Sequence, residues 1–246
     1  MNDVLISTLF GCVVGAFGTG LGAAIAFLIK KTSERLMAAL MGLSGGIMIA
    51  IVVFDMCPNA LVYASTWVVI VSAIVGAAFV LGTEAALNRR NKNKKTDKEE
   101  KILRIGVIIM ISIGIHNLPE GLAIGSGLAE PGGYGIGFGM LILIHNIPEG
   151  MAMAIPMHMG NMKPAKGIAL AMLAGIPTAI GAGIGVALGN VSENLIGICM
   201  AFAAGAMLFV SVKELIPESV QLHKNLFTAG AIAVGILVGM AMVYVI

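Results

Sequence analysis

Eight long apolar runs fill most of this sequence, and they constrain its fold more than any other feature. Each run is near the ~20 residues that a helix needs to cross the hydrocarbon core of a bilayer. Backbone groups in lipid must be hydrogen-bonded within their own segment, which favours helices over open sheets. The runs are Val4–Ile29, Leu36–Val53, Ser65–Leu87, Ile102–Ser126, Gly135–Met157, Gly167–Leu188, Leu195–Leu215 and Leu226–Ile246.

Composition leaves almost nothing for a soluble domain. Hydrophobic residues make up 58% of the chain and charged residues 11%, against about 25% charged residues in a soluble domain. The first run lacks a basic head and a small-residue cleavage site, so we interpret it as a retained span. We therefore predict an all-α membrane protein with eight transmembrane helices in a single domain, residues 1–246. Its surroundings are the lipid bilayer, and no nucleic-acid partner is expected.

The basic residues predict how the chain is oriented. With eight spans, all 15 Lys and Arg lie in or beside the odd-numbered connections, eight of them in or just after the third, Asn88–Glu100. The positive-inside rule makes that side cytoplasmic and places both termini outside. A basic cytoplasmic loop at about 88–101 is therefore expected. Its simplest role is to fix the topology.

Two nearly identical hexapeptides lie in the fourth and fifth runs. His116-Asn117-Leu118-Pro119-Glu120-Gly121 is followed 29 positions later by His145-Asn146-Ile147-Pro148-Glu149-Gly150. In each copy His and Glu are four apart, on one face of a helix. Ionisable groups are costly inside a membrane and usually mark function there. Two copies with the same spacing argue against histidines that serve only to pack the interior.

The two motifs together can bind one metal ion. The fourth and fifth runs are joined by a short Gly-rich turn, so they are expected to pack as an antiparallel pair. His116, Glu120, His145 and Glu149 can then converge. Two imidazoles and two carboxylates suit Zn²⁺, Fe²⁺, Mn²⁺ or Cd²⁺. Asn117 and Asn146 offer amide oxygens beside the ligands, and Met48 offers a thioether if the second run lines the same cavity.

A weaker internal symmetry surrounds this pair. At an offset of 159 residues, Met48 in the second run matches Met207 in the seventh, and Asp55 matches Glu214. Oppositely directed matching units are typical of transporters built from inverted repeats. From the residues alone we favour core packing for Met48 and Met207. Asp55 and Glu214 fit either interfacial caps or carboxylates at the entrance and the exit of a transport route.

Two further histidines carry weaker indications. His158 and His223 fall near the predicted cytoplasmic side. For each of them we favour a solvated surface residue over a transient ligand for a departing metal.

The chain resembles the ZIP family of divalent-metal transporters, above all its compact bacterial members. The paired hexapeptides, the basic third connection, Gly46-Ile47-Met48 and Glu214-Leu215-Ile216-Pro217-Glu218 carry the resemblance. The resemblance implies a 3+2+3 inverted repeat of helices in the cell membrane. It also implies transport of Zn²⁺, and often of Fe²⁺, Mn²⁺ or Cd²⁺, into the cytoplasm. Assembly as a homodimer is possible for a member of this family. By position it implies a primary site of His116, Glu120, His145 and Glu149 with Met48 beside it, a neighbouring second site facing Asn117 and Asn146, and Glu214 on the release route.

The chain departs from this family pattern in one respect. Thr178 stands where two-metal members carry a carboxylate, and Asn146 stands where some members carry an acid. Two adjacent dications would be poorly neutralised there, so we predict one tightly bound metal per chain. The metal is then a substrate, with no catalytic cofactor.

Two other classes of function remain open from the residues. A membrane-embedded metalloenzyme could use the same ligands, but the His-Glu-x-x-His arrangement of zinc proteases is absent from the sequence. A sensor or structural protein would bind metal without carrying it across. We expect a transporter that works by alternating access around the midplane site, not an enzyme.

Overall fold

A computed structural model describes residues 2–29, 33–89, 98–129, 134–189 and 192–245. Within these ranges every regular element is helical, in eight continuous segments, and no strand occurs. The segments are α1 (residues 2–28: Asn2–Cys12, Val13–Phe17 and Gly18–Leu28), α2 (34–63: Glu34–Ile51, Val52–Met56 and Cys57–Tyr63), α3 (Thr66–Arg89), α4 (Lys98–Ala129), α5 (Tyr134–Met159), α6 (Pro164–Gly189), α7 (193–222: Glu193–Val210, Ser211–Leu215 and Ile216–Leu222) and α8 (Leu226–Val245).

Six of the described helices are long and apolar enough to cross a membrane: Asp3–Leu28, Glu34–Tyr63, Gly135–Met159, Pro164–Gly189, Glu193–Leu222 and Leu226–Val245. A shorter apolar stretch, Thr66–Gly82, lies within α3. These segments confirm the expected all-helical, multi-pass membrane protein. The count of eight spans and the external termini stay predictions. Most of the predicted basic loop at 88–101 and of the turn between α4 and α5 lies outside the described residues.

The helices pack as two groups. In one group α1 and α4 each pack against both α5 and α6. In the other α2 packs against α8 and α7, and α3 packs along α7. The groups meet chiefly where α4 contacts α7 and where α2 contacts α5. Because α4 and α5 carry the two hexapeptides, both motifs belong to the first group and lie on the two helices that make its main contacts with the second group.

Glycines allow the closest crossings within both groups. A Cβ on Gly175 of α6 would run into the backbone of Gly15 in α1. A Cβ on Gly205 of α7 would run into the carbonyl of Ala73 in α3. Helices in lipid associate mainly through such close van der Waals packing, because lipid tails are as apolar as the side chains.

The helices α2 and α7 have the same internal construction. Each is interrupted by one five-residue π-helical turn, Val52–Met56 in α2 and Ser211–Leu215 in α7, and the turns are 159 residues apart. A proline, Pro58 or Pro217, follows each turn by two residues. Proline lacks an N–H and crowds the preceding turn, so a wider turn before it lets the helix continue.

This construction explains why both helices run further than the apolar runs predict. The apolar run Leu36–Val53 predicts an end near Val53, but helix α2 continues to Tyr63. The run Leu195–Leu215 predicts an end near Leu215, but helix α7 continues to Leu222. Asp55 therefore lies inside α2 and is buried. The interfacial position and the role as an entrance carboxylate both stay predictions for this residue.

Candidate metal centre

Three of the predicted ligands lie together in the interior. Glu120 comes from α4, and His145 and Glu149 come from successive turns of α5; all three side chains are fully buried. The His145 Nε2 atom lies 3.0 Å from Glu149 Oε1 and 3.7 Å from Glu120 Oε1. One ligand atom from each residue falls within 4.8 Å of the others. The two motifs thus converge, as their spacing predicts.

The fourth predicted ligand, His116, lies only partly within the described structure. Its backbone belongs to α4, one turn before Glu120. Its side chain lies outside the described part of the chain. The described cluster consequently contains one imidazole and two carboxylates.

The arrangement of the three ligands is suited to a cation. Neither ring nitrogen of His145 has a hydrogen-bond partner among the described residues, although two carboxylates lie close by. A buried polar atom without a partner needs an explanation, because its desolvation is not compensated. A divalent ion between one imidazole and two carboxylates would supply that compensation, and this donor set is one that Zn²⁺ uses in proteins.

The asparagine in each motif ties its helix to a neighbour. Asn117 donates a hydrogen bond from Nδ2 to the Ala174 carbonyl of α6, at 2.8 Å. Asn146 donates from Nδ2 to the Val14 carbonyl, at 3.2 Å, in the π-helical turn of α1. Both amide oxygens lack a hydrogen-bond partner among the described residues. The nitrogens therefore anchor α4 and α5, and the oxygens stay available as acceptors.

The last glycine of each hexapeptide allows a close helix crossing. A Cβ on Gly121 would meet the Thr178 carbonyl of α6, and a Cβ on Gly150 would meet the Thr19 carbonyl of α1. Both contacts would be closer than real Cβ atoms show, and both are with backbone, which cannot rotate away. The motifs therefore combine a ligand, an anchoring amide and a contact glycine within one helical turn and a half.

Comparison with known proteins agrees with this geometry. A family model described as ZIP Zinc transporter matches residues 81–246, two-thirds of the chain and both hexapeptides. The chain belongs to the ZIP family. Zinc transporter ZupT of Clostridium perfringens is 30% identical over 89% of this chain and 88% of the relative. The ZupT proteins of Streptococcus mutans and Chlorobaculum parvum are 28% and 30% identical, each over 97% of both chains. These relatives are named as transporters, not enzymes.

The remaining residues that the ZIP resemblance implicates are placed as follows. Met48 is fully buried in α2, the helix that contacts α5 across the boundary between the two groups. Glu214 is half-buried in the π-helical turn of α7. Thr178, at the position of the carboxylate in two-metal ZIP members, is fully buried, and its hydroxyl has no hydrogen-bond partner among the described residues.

The two outlying histidines, His158 and His223, are partly buried and contact neighbouring groups. His158 is half-buried, its ring stacks on Phe27 at 5.1 Å, and its Nδ1 lies 3.4 Å from the Ala26 carbonyl. His223 is also half-buried, with Nε2 2.8 Å from the Asn225 amide nitrogen. The solvated-surface interpretation stays a prediction for both residues, and neither belongs to the cluster of Glu120, His145 and Glu149.

Sequence reasoning missed the role of Gly121 and Gly150. The signal was present, because the glycine repeats along with the ligands in both hexapeptides. The sequence did not predict which helix each glycine contacts, because the contacted residues are more than 50 positions away in the chain.

Proposed function

We propose that this ZIP-family chain carries a divalent transition metal across the cell membrane into the cytoplasm. Zn²⁺ is the first candidate, because the relatives are named zinc transporters. Cd²⁺, Fe²⁺ and Mn²⁺ are further substrates that the mixed nitrogen and oxygen ligand set suits. The observation that carries the proposal is the fully buried cluster of Glu120, His145 and Glu149.

The metal site that we propose is built from both hexapeptides. Glu120, His145 and Glu149 are ligands, and His116 completes the set from one turn before Glu120. Other residues assist: Met48 as a soft neighbour, Asn117 and Asn146 through their amide oxygens, and Glu214 on the release route. Isolated carboxylates are costly to bury, and a bound dication neutralises two of them. Because Thr178 and Asn146 are neutral, we propose one tightly bound metal per chain.

Alternating access would move one helix group against the other. The four helices α1, α4, α5 and α6 would carry the ion as a unit, since Asn117 and Asn146 tie both ligand helices to their neighbours. The group of α2, α3, α7 and α8 would rock against it. The matching π-helical turns and prolines of α2 and α7 support an inverted repeat around the site.

Uptake into proteoliposomes tests the proposal. Purified protein is reconstituted, and accumulation of radioactive Zn²⁺ is followed for the wild type, Glu149→Gln and Glu193→Gln. The last variant makes the same chemical change at an exposed position outside the site. We expect uptake by the wild type and Glu193→Gln, and a loss of at least about tenfold for Glu149→Gln, since losing even a supporting group of a metal site costs that much.

The rival functions give different results in the same assay. Suppose that the wild-type protein binds Zn²⁺ tightly, that Glu149→Gln weakens this binding, and that the wild type gives no uptake above empty vesicles. The protein is then a sensor or a structural metalloprotein. Equal uptake by Glu149→Gln and the wild type would remove the buried cluster from the transport route. Assembly as a homodimer stays a prediction.

A further inference from the structure

An apolar groove lies between α2 and α8 on the outside of the helix bundle. Near the start of both helices, the Arg35 side chain lies over the Phe227 ring. Eight residues later on each helix, a Cβ on Gly235 would meet the Leu43 carbonyl, so the two helices run parallel and pack closely there. The groove opens between this contact and the helix starts. It measures about 410 Å³, within the size range of ligand-binding clefts, and its walls include Ala39, Leu40 and Leu43 of α2 and Gly230, Ala231 and Val234 of α8.

Small side chains leave this groove open. A Cβ added to Gly230 would meet nothing within 4 Å, in contrast to Gly235 further along α8. From Phe227 to Val234 the groove extends about 10 Å along the axis of α8, and every residue that lines it is apolar. An unfilled space beside apolar side chains loses the dispersion contacts that a neighbour would supply. In a membrane the available neighbours are lipid chains, so the groove is suited to an acyl chain.

A cation lies at the open end of the groove. Phe227 is both a wall of the groove and the ring over which Arg35 lies, with the Arg35 Cζ atom 4.2 Å from the ring centroid. Stacking on an aromatic face leaves the edge of a guanidinium, with its N–H donors, available to an anion. This fork of donors matches the oxygens of a phosphate. Arg35 is exposed in the first turn of α2, so it lies at the end of the span, at the level of lipid head groups.

The local charge balance favours an anion at this end. Next to Arg35 in the chain lies the acidic Glu34, and three residues before Phe227 lies the basic Lys224; all three charged side chains are exposed. Two positive charges against one negative charge leave an excess of one positive charge, and Lys30 and Lys31 precede this segment in the sequence. A positive head-group level above an apolar groove matches an amphiphile with an anionic head and an apolar tail.

We propose that the groove binds one anionic phospholipid, with its phosphate on Arg35 and one acyl chain along the groove past Gly230. Basic pockets between membrane helices are suited to anionic head groups. The site lies on α2 and α8, neither of which carries Glu120, His145 or Glu149. The inference therefore goes beyond the proposed function and does not depend on transport.

A second copy of this chain fits the groove less well. A helix with its side chains is about 10–12 Å wide, so a length of about 10 Å occupies about 800–1,100 Å³, which is more than the groove holds. Such a helix would rest on the rim and leave the space beside Gly230 unfilled. A single acyl chain is thin enough to enter.

Native mass spectrometry of the delipidated protein in detergent tests the proposal. The probes are dioleoyl phosphatidylglycerol, which is anionic, dioleoyl phosphatidylcholine, which has the same chains and no net charge, and inorganic phosphate, which has no chain. The test variants are Arg35→Gln, which removes the cation, and Gly230→Leu, which fills the groove. The matched controls are Lys166→Gln, at an exposed cation of α6, and Gly82→Leu, at a glycine of α3 whose added Cβ also meets nothing within 4 Å.

We expect the wild type to bind phosphatidylglycerol about fivefold more tightly than phosphatidylcholine, since one Arg near the head groups contributes about that factor. Arg35→Gln should remove this preference. Gly230→Leu should lose the binding of the first molecule of either lipid, because its side chain takes the place of the acyl chain. Both controls should behave as the wild type does.

Each test variant can overturn the inference by itself. A preference that Arg35→Gln retains would exclude the head-group contact, and equal lipid binding by Gly230→Leu and Gly82→Leu would exclude the groove. Binding of inorganic phosphate as tight as that of phosphatidylglycerol would show an anion site without a lipid chain. A dimeric wild type without lipid preference, whose dimer Gly230→Leu breaks, would make the occupant a second copy. Both changes are at exposed positions, and if one variant fails to fold, the other decides alone.

Discussion

Replacing Gly150 by alanine is the most direct test of the helix crossing beside the site. Gly150 follows Glu149 in the second hexapeptide, and an added Cβ would be pressed against the Thr19 carbonyl of α1. Neither partner is a flexible side chain, so α5 and α1 would have to move apart. We expect Gly150→Ala to lower both the stability of the protein and its metal uptake.

The magnitude follows from two opposing effects. Alanine in place of glycine inside a helix contributes about 0.5–1 kcal/mol of stability. Forcing an extra carbon into a filled contact costs about 1–3 kcal/mol, and here the contact is with backbone. The clash therefore outweighs the gain. At Gly230 of α8 an added Cβ would meet nothing within 4 Å, so the same substitution there should show the gain alone.

Melting temperatures of the purified protein in detergent compare the two variants. The expected difference in stability is about 1–3 kcal/mol. At about 2–4 °C for each kcal/mol in a chain of this size, Gly150→Ala should melt about 2–12 °C below Gly230→Ala. Uptake should fall as well, because metal–ligand distances tolerate only about 0.2 Å of change. If Gly150→Ala melts as high as Gly230→Ala and transports normally, the close crossing and the argument built on it are refuted.

Three further outcomes are expected. Metal analysis of the purified, Zn²⁺-loaded protein should give one ion per chain, because Thr178 and Asn146 are neutral. Anomalous diffraction that shows two fully occupied ions about 4 Å apart would contradict this prediction of a single metal. Asn117→Ala should lower the free energy of unfolding by about 1–3 kcal/mol, since the buried Ala174 carbonyl loses the amide hydrogen bond; a melting temperature equal to that of the wild type would show that the bond does not hold α4 to α6. Ser33→Ala should cost about 1 kcal/mol, because the Ser33 hydroxyl caps α2 by accepting a hydrogen bond from the Leu36 N–H, and unchanged thermal stability would speak against this cap.

The composition and the two hexapeptides were enough to predict an all-helical membrane protein with a buried His/Glu cluster. Both inferences rest on local physics: long apolar runs need lipid, and a spacing of four places His145 and Glu149 on one helix face. The offset of 159 residues also predicted where α2 and α7 correspond. It could not show that each contains a π-helical turn at the same place.

Other features depend on which helices become neighbours. The hydrogen bonds from Asn117 to α6 and from Asn146 to α1 connect residues 57 and 132 positions apart. The sequence suggested metal-facing amides there but contained no indication of these anchoring partners. His158 was likewise predicted to be a surface residue. The sequence contained no indication that Phe27 stacks on its ring.

The sequence by itself determined the helical, membrane-spanning character of the chain, the ZIP family resemblance and the candidate ligands, because these follow from residue type and short spacing. The tertiary structure decided that Glu120 meets His145 and Glu149 at 4.8 Å or less, and that the last glycine of each hexapeptide lies at a helix crossing. Those outcomes depend on contacts between segments that are distant in the chain. The surface shape of each helix determines how closely a neighbouring helix can pack against it.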